Sequence, residues 1–349
     1  MKACITTHCV WSSFGSMLQA LGLKKALRSL GCDSFLLTDL AQPEYRLRMP
    51  TNKKELFYFP KRCAFHGRFS ASREKGVRFI NNNLEEICFD SYNELRNNYP
   101  EADRYIAGSD QIWSPSSEKP LFFLEFVKND SIKASYAASI GVNDIPAEKQ
   151  ERYKDYLSDF SFISVREQSA KAAISGLVDQ EISVNIDPVF LIGADEWKRY
   201  EKEYSVKKPY ILLYTIYWND GMKDKLKNLS RRTGLPIYAV KPAPSRAYAS
   251  KSLYDVGPEE FLWLIDNAEY VVTSSFHGAA FSAVFGKKVS VVINPSAPAR
   301  LTELTDRLEL PVIDIDKLDR VGEINYSIVE KNISAARKEG IEYLKRVLK

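Results

Sequence analysis

Thr273-Ser274-Ser275-Phe276-His277-Gly278-Ala279-Ala280 holds one of only three histidines in the chain. Just before it, Tyr270-Val271-Val272 is an aromatic and β-branched run that reads as a buried strand. From Phe276 to Phe285 the apolar spacing is that of a packed helix. The histidine therefore falls at the C-terminal end of a strand, where open α/β sheets bind ligands. Gly278, Ala279 and Ala280 leave the helix N-terminus uncrowded, so its free N–H groups can face an anion. A histidine beside an anion can give or take a proton near neutral pH. The same position also suits a buried histidine that caps a structural turn.

The alternation of strand and helix runs outward in both directions. Lys2–Thr7 reads as a strand, Gly15–Leu30 as a helix ended by Gly31, and Ser34–Asp39 as the next strand. Ser91-Tyr92-Asn93-Glu94 matches a capping box. Strands are expected at Arg104–Ala107, Ile132–Ser139, Phe162–Val165 and Ser183–Ile186, with helices over Ala147–Phe160 and Gln168–Gly176. Asp187-Pro188 and the charged stretch Trp197–Lys208 mark a domain crossing. The pattern then restarts with strands Tyr210–Tyr217, Ile237–Val240, Tyr270–Thr273, Lys288–Ile293 and Val312–Ile315. Helices are expected over Met222–Thr233, Glu259–Asn267 and Leu301–Leu308. The expected fold class is α/β, two doubly wound Rossmann-like domains facing a cleft. Residues 1–195 form the N-terminal domain with a basic helical insertion at 44–90, and 196–322 the C-terminal domain. A helix over 323–349 is expected to pack back across both. Pro242-Ala243-Pro244-Ser245 reads as a loop able to close over a substrate.

Composition narrows the function classes. A chain of 349 residues exceeds what one core usually serves. No apolar run reaches the roughly 18 residues that span a bilayer. The N-terminus reads as a first strand without a secretory apolar core, so a cytoplasmic location is expected. The five cysteines, Cys4, Cys9, Cys32, Cys63 and Cys88, include no Cys-x-x-Cys pair, which argues for reduced thiols and against a zinc site. His8, His66 and His277 are too dispersed to suggest a metal-ligand cluster.

Net charge is only +4, but Glu44–Ile80 carries ten Lys and Arg against three acids, a local charge of +7. Leu56-Phe57-Tyr58-Phe59 sits within it. That pairing suits the inner face of a membrane or a lipid-linked pyrophosphate, and equally a solvated insertion whose aromatics dock on its own domain. No nucleic-acid-binding module accompanies the charge.

Two further strand ends carry chemistry. Gly108-Ser109-Asp110-Gln111-Ile112-Trp113 sets a carboxylate, an amide and an indole on a glycine turn. Asp110 and Gln111 can bond sugar hydroxyls while Trp113 offers a flat apolar face; alternatively Asp110 caps a turn and Trp113 is core. Arg166 can clamp a phosphate or carboxylate, or pair with Glu167 or Asp187.

Together with Phe14-Gly15-Ser16-Met17-Leu18-Gln19, Tyr136-Ala137-Ala138-Ser139-Ile140-Gly141, Ser164-Val165-Arg166-Glu167, Asp187-Pro188-Val189 and Ser275-Phe276-His277-Gly278, the Gly108–Trp113 motif resembles the polysaccharide pyruvyl transferase family, in the same order. The resemblance runs from about residue 5 to 310. It implies a fold like that of the GT-B glycosyltransferases, with the acceptor on the N-terminal domain and the donor on the C-terminal one. Enzymes of the family move a pyruvyl group from phosphoenolpyruvate to a sugar, commonly as a cyclic ketal. His277 falls at the family's proposed general acid and Arg166 at a proposed anion contact. Some members carry arginine two residues before the histidine, where this chain has Ser275, and the N-terminal motif often opens on Asn, where this chain has Ser13.

The residues fit that chemistry in their own right. Phosphoenolpyruvate needs an acid aimed at its methylene carbon, cations for its two anionic groups, and a path for the hydroxyl proton. His277 suits the first. Arg166, Lys288, Arg300 and the helix start around Ser274, Ser275 and Gly278 are candidates for the second. Asp110 or His8 can orient the hydroxyl, and His8, Asp110, Gln111 and Trp113 are the acceptor-binding candidates. Phosphoenolpyruvate is a substrate, so neither cofactor nor metal is expected. The rival readings are a nucleotide-sugar glycosyltransferase and a catalytically silent sugar-binding protein. The paired glutamates that many such glycosyltransferases space by seven residues are absent, since Glu260 and Glu269 have eight between them.

Overall fold

The computed structural model describes residues 1–39, 67, 69–128, 131–217, 221–240, 248–294, 299–320, 322 and 324–349. Most of the basic stretch, including the aromatic cluster Leu56–Phe59, and the Pro242–Ser245 loop lie outside them.

The N-terminal half runs β1 (Lys2–Thr6), α1 (Phe14–Ser29), β2 (Asp33–Asp39), α2 (Ser70–Asn83), β3 (Glu86–Phe89), α3 (Tyr92–Asn97), β4 (Arg104–Ala107), β5 (Lys133–Ser135), α4 (Ala147–Ser158), β6 (Ile163–Val165), α5 (Gln168–Ile174), β7 (Ile182–Val184) and α6 (Ala194–Lys198). The C-terminal half runs β8 (Ile211–Tyr214), α7 (Met222–Thr233), β9 (Ile237–Val240), β10 (Lys251–Leu253), α8 (Pro258–Asp266), β11 (Tyr270–Thr273), α9 (Phe276–Val284), β12 (Lys288–Val291), α10 (Ala299–Leu308) and α11 (Ser327–Leu348).

Each half builds a five-stranded parallel sheet, ordered β3-β2-β1-β4-β5 in the first and β10-β9-β8-β11-β12 in the second. The chain reverses its winding between β1 and β4, and again between β8 and β11. Those crevices, at the carboxyl ends of the strands, are where such sheets hold ligands. β6 and β7 pair with each other and are tied to the first sheet by single bridges at Ala134–Phe162 and Ala138–Val165.

The strand expected over Ile132–Ser139 ends at Ser135, because Ala137 adopts a left-handed φ of 49°. The strand expected over Val312–Ile315 shrinks to one bridge between Val312 and Val289. The short β3 and β10, and α6, had no clear signal in the sequence.

One apolar cluster crosses the two halves. Phe14 at the start of α1 packs on Phe261 of α8, ring centroids 4.9 Å apart, and on Tyr214 of β8. Lys75 of α2 meets Glu260 of α8 at 3.0 Å, and Glu260 also accepts from the Gly257 N–H in a capping box. α11 returns to the N-terminal half: Tyr343 donates to the Ser135 carbonyl and Arg337 to that of Phe190.

Gly22 of α1 lies against the turn after Asp187, where a Cβ would come within 2.5 Å of the Pro188 carbonyl oxygen. Backbone cannot yield there as a side chain would. Gly22→Ala is expected to cost about 1–3 kcal/mol through overpacking. Chemical denaturation checks this, and unchanged stability would contradict the packing.

Candidate active site

His277 sits on the first turn of α9, 7% exposed, directly after β11. It faces the start of α1 in the other half. A Cβ on Gly15 would lie 2.1 Å from its Nδ1, so only glycine lets helix and imidazole meet. Its Nε2 points toward Asp187, 3.8 Å from Oδ2, and is buried with no hydrogen-bond partner among the described residues.

Asp187 follows β7 and is the hub of the N-terminal side. Its Oδ2 accepts from Arg166 Nη1 at 2.9 Å and from Ser109 Oγ at 3.1 Å. Arg166, directly after β6, donates through Nε to Glu167 Oε1 at 2.8 Å. Glu167 Oε1 also accepts from Ser139 Oγ at 2.9 Å. The guanidinium lies 4.0 Å from the ring centre of Phe276, a cation–π contact reaching from one half to the other. The network continues inward: Thr7 donates to the Ser109 carbonyl, and Gln19 donates to Thr7. Each quoted motif of the N-terminal half thus supplies a member of one buried polar chain.

A cavity of about 440 Å³ opens on this network. Arg166, Glu167, Asp187, Phe276, Arg300 and Arg307 are among the residues lining it. Arg166 Nη2, Glu167 Oε2, Arg300 Nε and His277 Nε2 are all buried and without a partner among the described residues. Leaving one such group unmade costs about 1–3 kcal/mol, so a cluster of them marks a place shaped for a ligand.

Electrostatics follow from the packing. Burial lowers the His277 pKa and outweighs the carboxylates of Asp187 and Asp110, which pull it up. Without a ligand the imidazole is therefore neutral at physiological pH. Arg300 is pushed down by burial and by the like charge of Arg166. Arg166 is held well above the ordinary range; burial opposes this, but Glu167, Asp187 and Asp110 prevail. Asp110 is held below the usual carboxylate range, His277, His8 and Arg166 overcoming the opposing effect of burial.

Asp110 stands in the left-handed region at φ 71° and its Oδ1 accepts from the Gln111 N–H. Such strain in a non-glycine residue is a feature of functional turns. Gln111 packs its amide over Gly141. His8 packs edge-on against Phe122, and its carbonyl accepts from Gln19.

Other candidates are placed differently. Trp113 is 0% exposed, donates to the Phe122 carbonyl and stacks on Phe123, which leaves it no face for a sugar. Lys288 opens β12 beside Tyr270, the first residue of β11, at the end of the sheet opposite His277. Ser274 Oγ accepts from the Ile216 and Tyr217 N–H groups, holding the loop after β8. Ser275 caps α9 by accepting from the Gly278 N–H, and Gly278 lies against Thr273 and Tyr214. The helix start thus satisfies its own donor at Gly278, which cannot also bind an anion there. Glu167 and Asp187 stood in the sequence as possible partners of Arg166, and both pair with it, whereas Gly15 was quoted only as part of a motif. The meetings of Asp187 with Ser109 and His277, and of Gly15 with His277, join distant parts of the chain, which spacing does not reveal.

The profile of the family described as polysaccharide pyruvyl transferase matches residues 14–296. The chain belongs to the polysaccharide pyruvyl transferase family. It is accordingly a transferase by family, with a sugar or polysaccharide as the family's acceptor class. No curated protein matches it. Among solved structures it is similar to a UDP-GlcNAc 2-epimerase from Methanocaldococcus jannaschii, at 14% identity and TM-score 0.53, covering 96% of this chain and 92% of the other. An α-glucosyltransferase bound to UDP and a 13-mer DNA is similar at 11% identity and TM-score 0.52, covering 99% and 95%. These likenesses show the GT-B fold. Among the described residues no group of acidic, histidine or cysteine side chains could hold a metal, and no helix is long and apolar enough to cross a membrane.

A lowered imidazole pKa means the unfolded chain binds a proton that the fold resists. Stability should therefore be full above the unfolded value near 6.5 and fall as pH drops below it. Chemical denaturation from pH 7.5 to 5 checks this: His277→Gln should flatten the slope, and an unchanged slope would contradict a neutral buried imidazole.

Proposed function

We propose that this member of the family transfers a pyruvyl group from phosphoenolpyruvate to a sugar, forming a ketal, with His277 as the general acid. The observation that carries the reading is a set of atoms left without a partner among the described residues: two guanidinium nitrogens of residues lining the cavity, and an imidazole nitrogen 3.8 Å from Asp187, which lines it too. Phosphoenolpyruvate is an enol phosphate ester with two anionic groups. Arg166 Nη2 and Arg300 Nε would receive those groups, and Arg300 would supply the charge that Ser275 lacks. Anions bound there favour protonated His277, reversing the effect of burial. The imidazolium then delivers its proton to the methylene carbon, leaving an oxocarbenium-like C2 that a sugar hydroxyl attacks. Phosphate departs from C2 with the bonding electron pair, and a second hydroxyl closes the ketal.

The +7 stretch Glu44–Ile80 supports a lipid-linked glycan as acceptor and contact with a membrane surface, while Asp110 and Gln111 support hydroxyl binding at the cleft. Glu260 is bonded to Lys75 and Gly257, which leaves the nucleotide-sugar reading without its usual carboxylate.

Mass spectrometry of candidate glycans incubated with phosphoenolpyruvate tests the reading. It predicts a gain of one pyruvyl group less water, and a loss of at least ~100-fold in His277→Gln with its fold intact. Stabilisation by nucleotide-sugars and none by phosphoenolpyruvate would overturn it. Because binding draws a proton onto His277, phosphoenolpyruvate should bind more tightly as pH falls from 8 to 6.5. Titration calorimetry should find this dependence weakened in His277→Gln; an equal dependence in the variant would remove His277 from the linkage.

A further inference from the structure

A hydroxyl that attacks C2 must give up its proton, and neither candidate from the sequence, Asp110 or His8, is among the residues that line the cavity with Arg166 and Arg300. Asp110 Oδ1 is engaged by the Gln111 N–H, and His8 is packed against Phe122. We propose that Glu167 is the base for that hydroxyl, an inference that rests on the pyruvyl-transfer reading. Glu167 is 3% exposed and its two oxygens differ. Oε1 is held by Arg166 Nε and Ser139 Oγ, whereas Oε2 is buried, has no partner and belongs to a residue lining the cavity.

An ionised carboxylate oxygen can only accept a hydrogen bond. Phosphoenolpyruvate, with its carboxylate and phosphate ionised, has nothing to donate to it. A sugar hydroxyl does. The partnerless atoms therefore sort by ligand: the Arg166 and Arg300 nitrogens suit the anionic donor, and Glu167 Oε2 suits the acceptor. Arg166 sets the spacing, since Nε grips Glu167 while Nη1 grips Asp187, the residue facing His277. An anion on the free Nη2 then has the base on one flank and the acid on the other.

The protons balance. His277 gives one to the methylene carbon, whose π electrons form the new C–H bond. The first hydroxyl oxygen bonds to C2 and its proton passes to Glu167 Oε2. When the C2–O bond to phosphate breaks, the phosphate leaves with the electron pair and takes the Glu167 proton. The second hydroxyl closes the ring and its proton restores His277.

The test compares wild type, Glu167→Gln and Glu167→Ala at saturating acceptor. In Glu167→Gln the amide retains the shape and a carbonyl acceptor for Arg166 and Ser139, but it cannot take the proton. The expected result is a fall in kcat of at least ~100-fold with the KM for phosphoenolpyruvate within ~3-fold of wild type. Formate should partly restore turnover to Glu167→Ala, and acetate, the more basic carboxylate, more so at equal occupancy, because a base responds to proton affinity and an ion-pair partner does not. Near-wild-type kcat in Glu167→Gln overturns the assignment. So does lost turnover in Glu167→Ala that formate fails to restore, which would make Glu167 only the structural partner of Arg166 or Arg300. Should Glu167→Ala unfold, Glu167→Gln decides alone through its kcat and KM. Wild-type protein that transfers nothing from phosphoenolpyruvate overturns the pyruvyl reading and this inference with it.

Discussion

One buried guanidinium holds the site together. Arg166 is clamped by Glu167 and Asp187, 2.8 and 2.9 Å away, and lies over Phe276 from the other half of the chain. Removing one member of a buried ion pair leaves an uncompensated charge and is strongly destabilising. The three residues therefore fix one another, and through them the ends of β6 and β7 are set against α9. What the clamp leaves over is chemically useful: one free nitrogen on Arg166 and one free oxygen on Glu167.

The fold supports that arrangement through two like-wound sheets whose crevices face each other. β1 and β4 lead into Thr7 and Ser109, of which Thr7 donates to the Ser109 carbonyl and Ser109 to Asp187; β11 leads into His277, which faces the same carboxylate. Gly15 lets the halves close. Its missing side chain lets α1 pass beside the imidazole, and Phe14 next to it packs into the opposite core. The same helix thus serves both the apolar contact between halves and the placement of His277.

Much of the fold was legible because it rests on local pattern. Arg104–Ala107, Met222–Thr233, Ile237–Val240 and Tyr270–Thr273 stand with the bounds their periodicity gives. β5 ended early because Ala137 turns left-handed, which nothing in an apolar run signals. Single residues were harder. Trp113 at a strand end looks the same whether it faces solvent or core, and Lys288 was credited with a charge near the site when it opens its strand at the far end. Ser275 and Gly278 bond to each other, so an open helix start became a self-capped one. Asp187 was legible as a partner of Arg166, but its contacts with Ser109 and His277, which are distant in sequence, were not.

In the proposed reaction the partnerless atoms of Arg166, Arg300 and His277 seat phosphoenolpyruvate. A crystal structure of the protein with phosphoenolpyruvate tests this most directly. Its two anionic groups are expected on Arg166 Nη2 and Arg300 Nε, with the methylene carbon within reach of His277 Nε2. Phosphoenolpyruvate bound elsewhere, or those three nitrogens left unengaged in the complex, would contradict it.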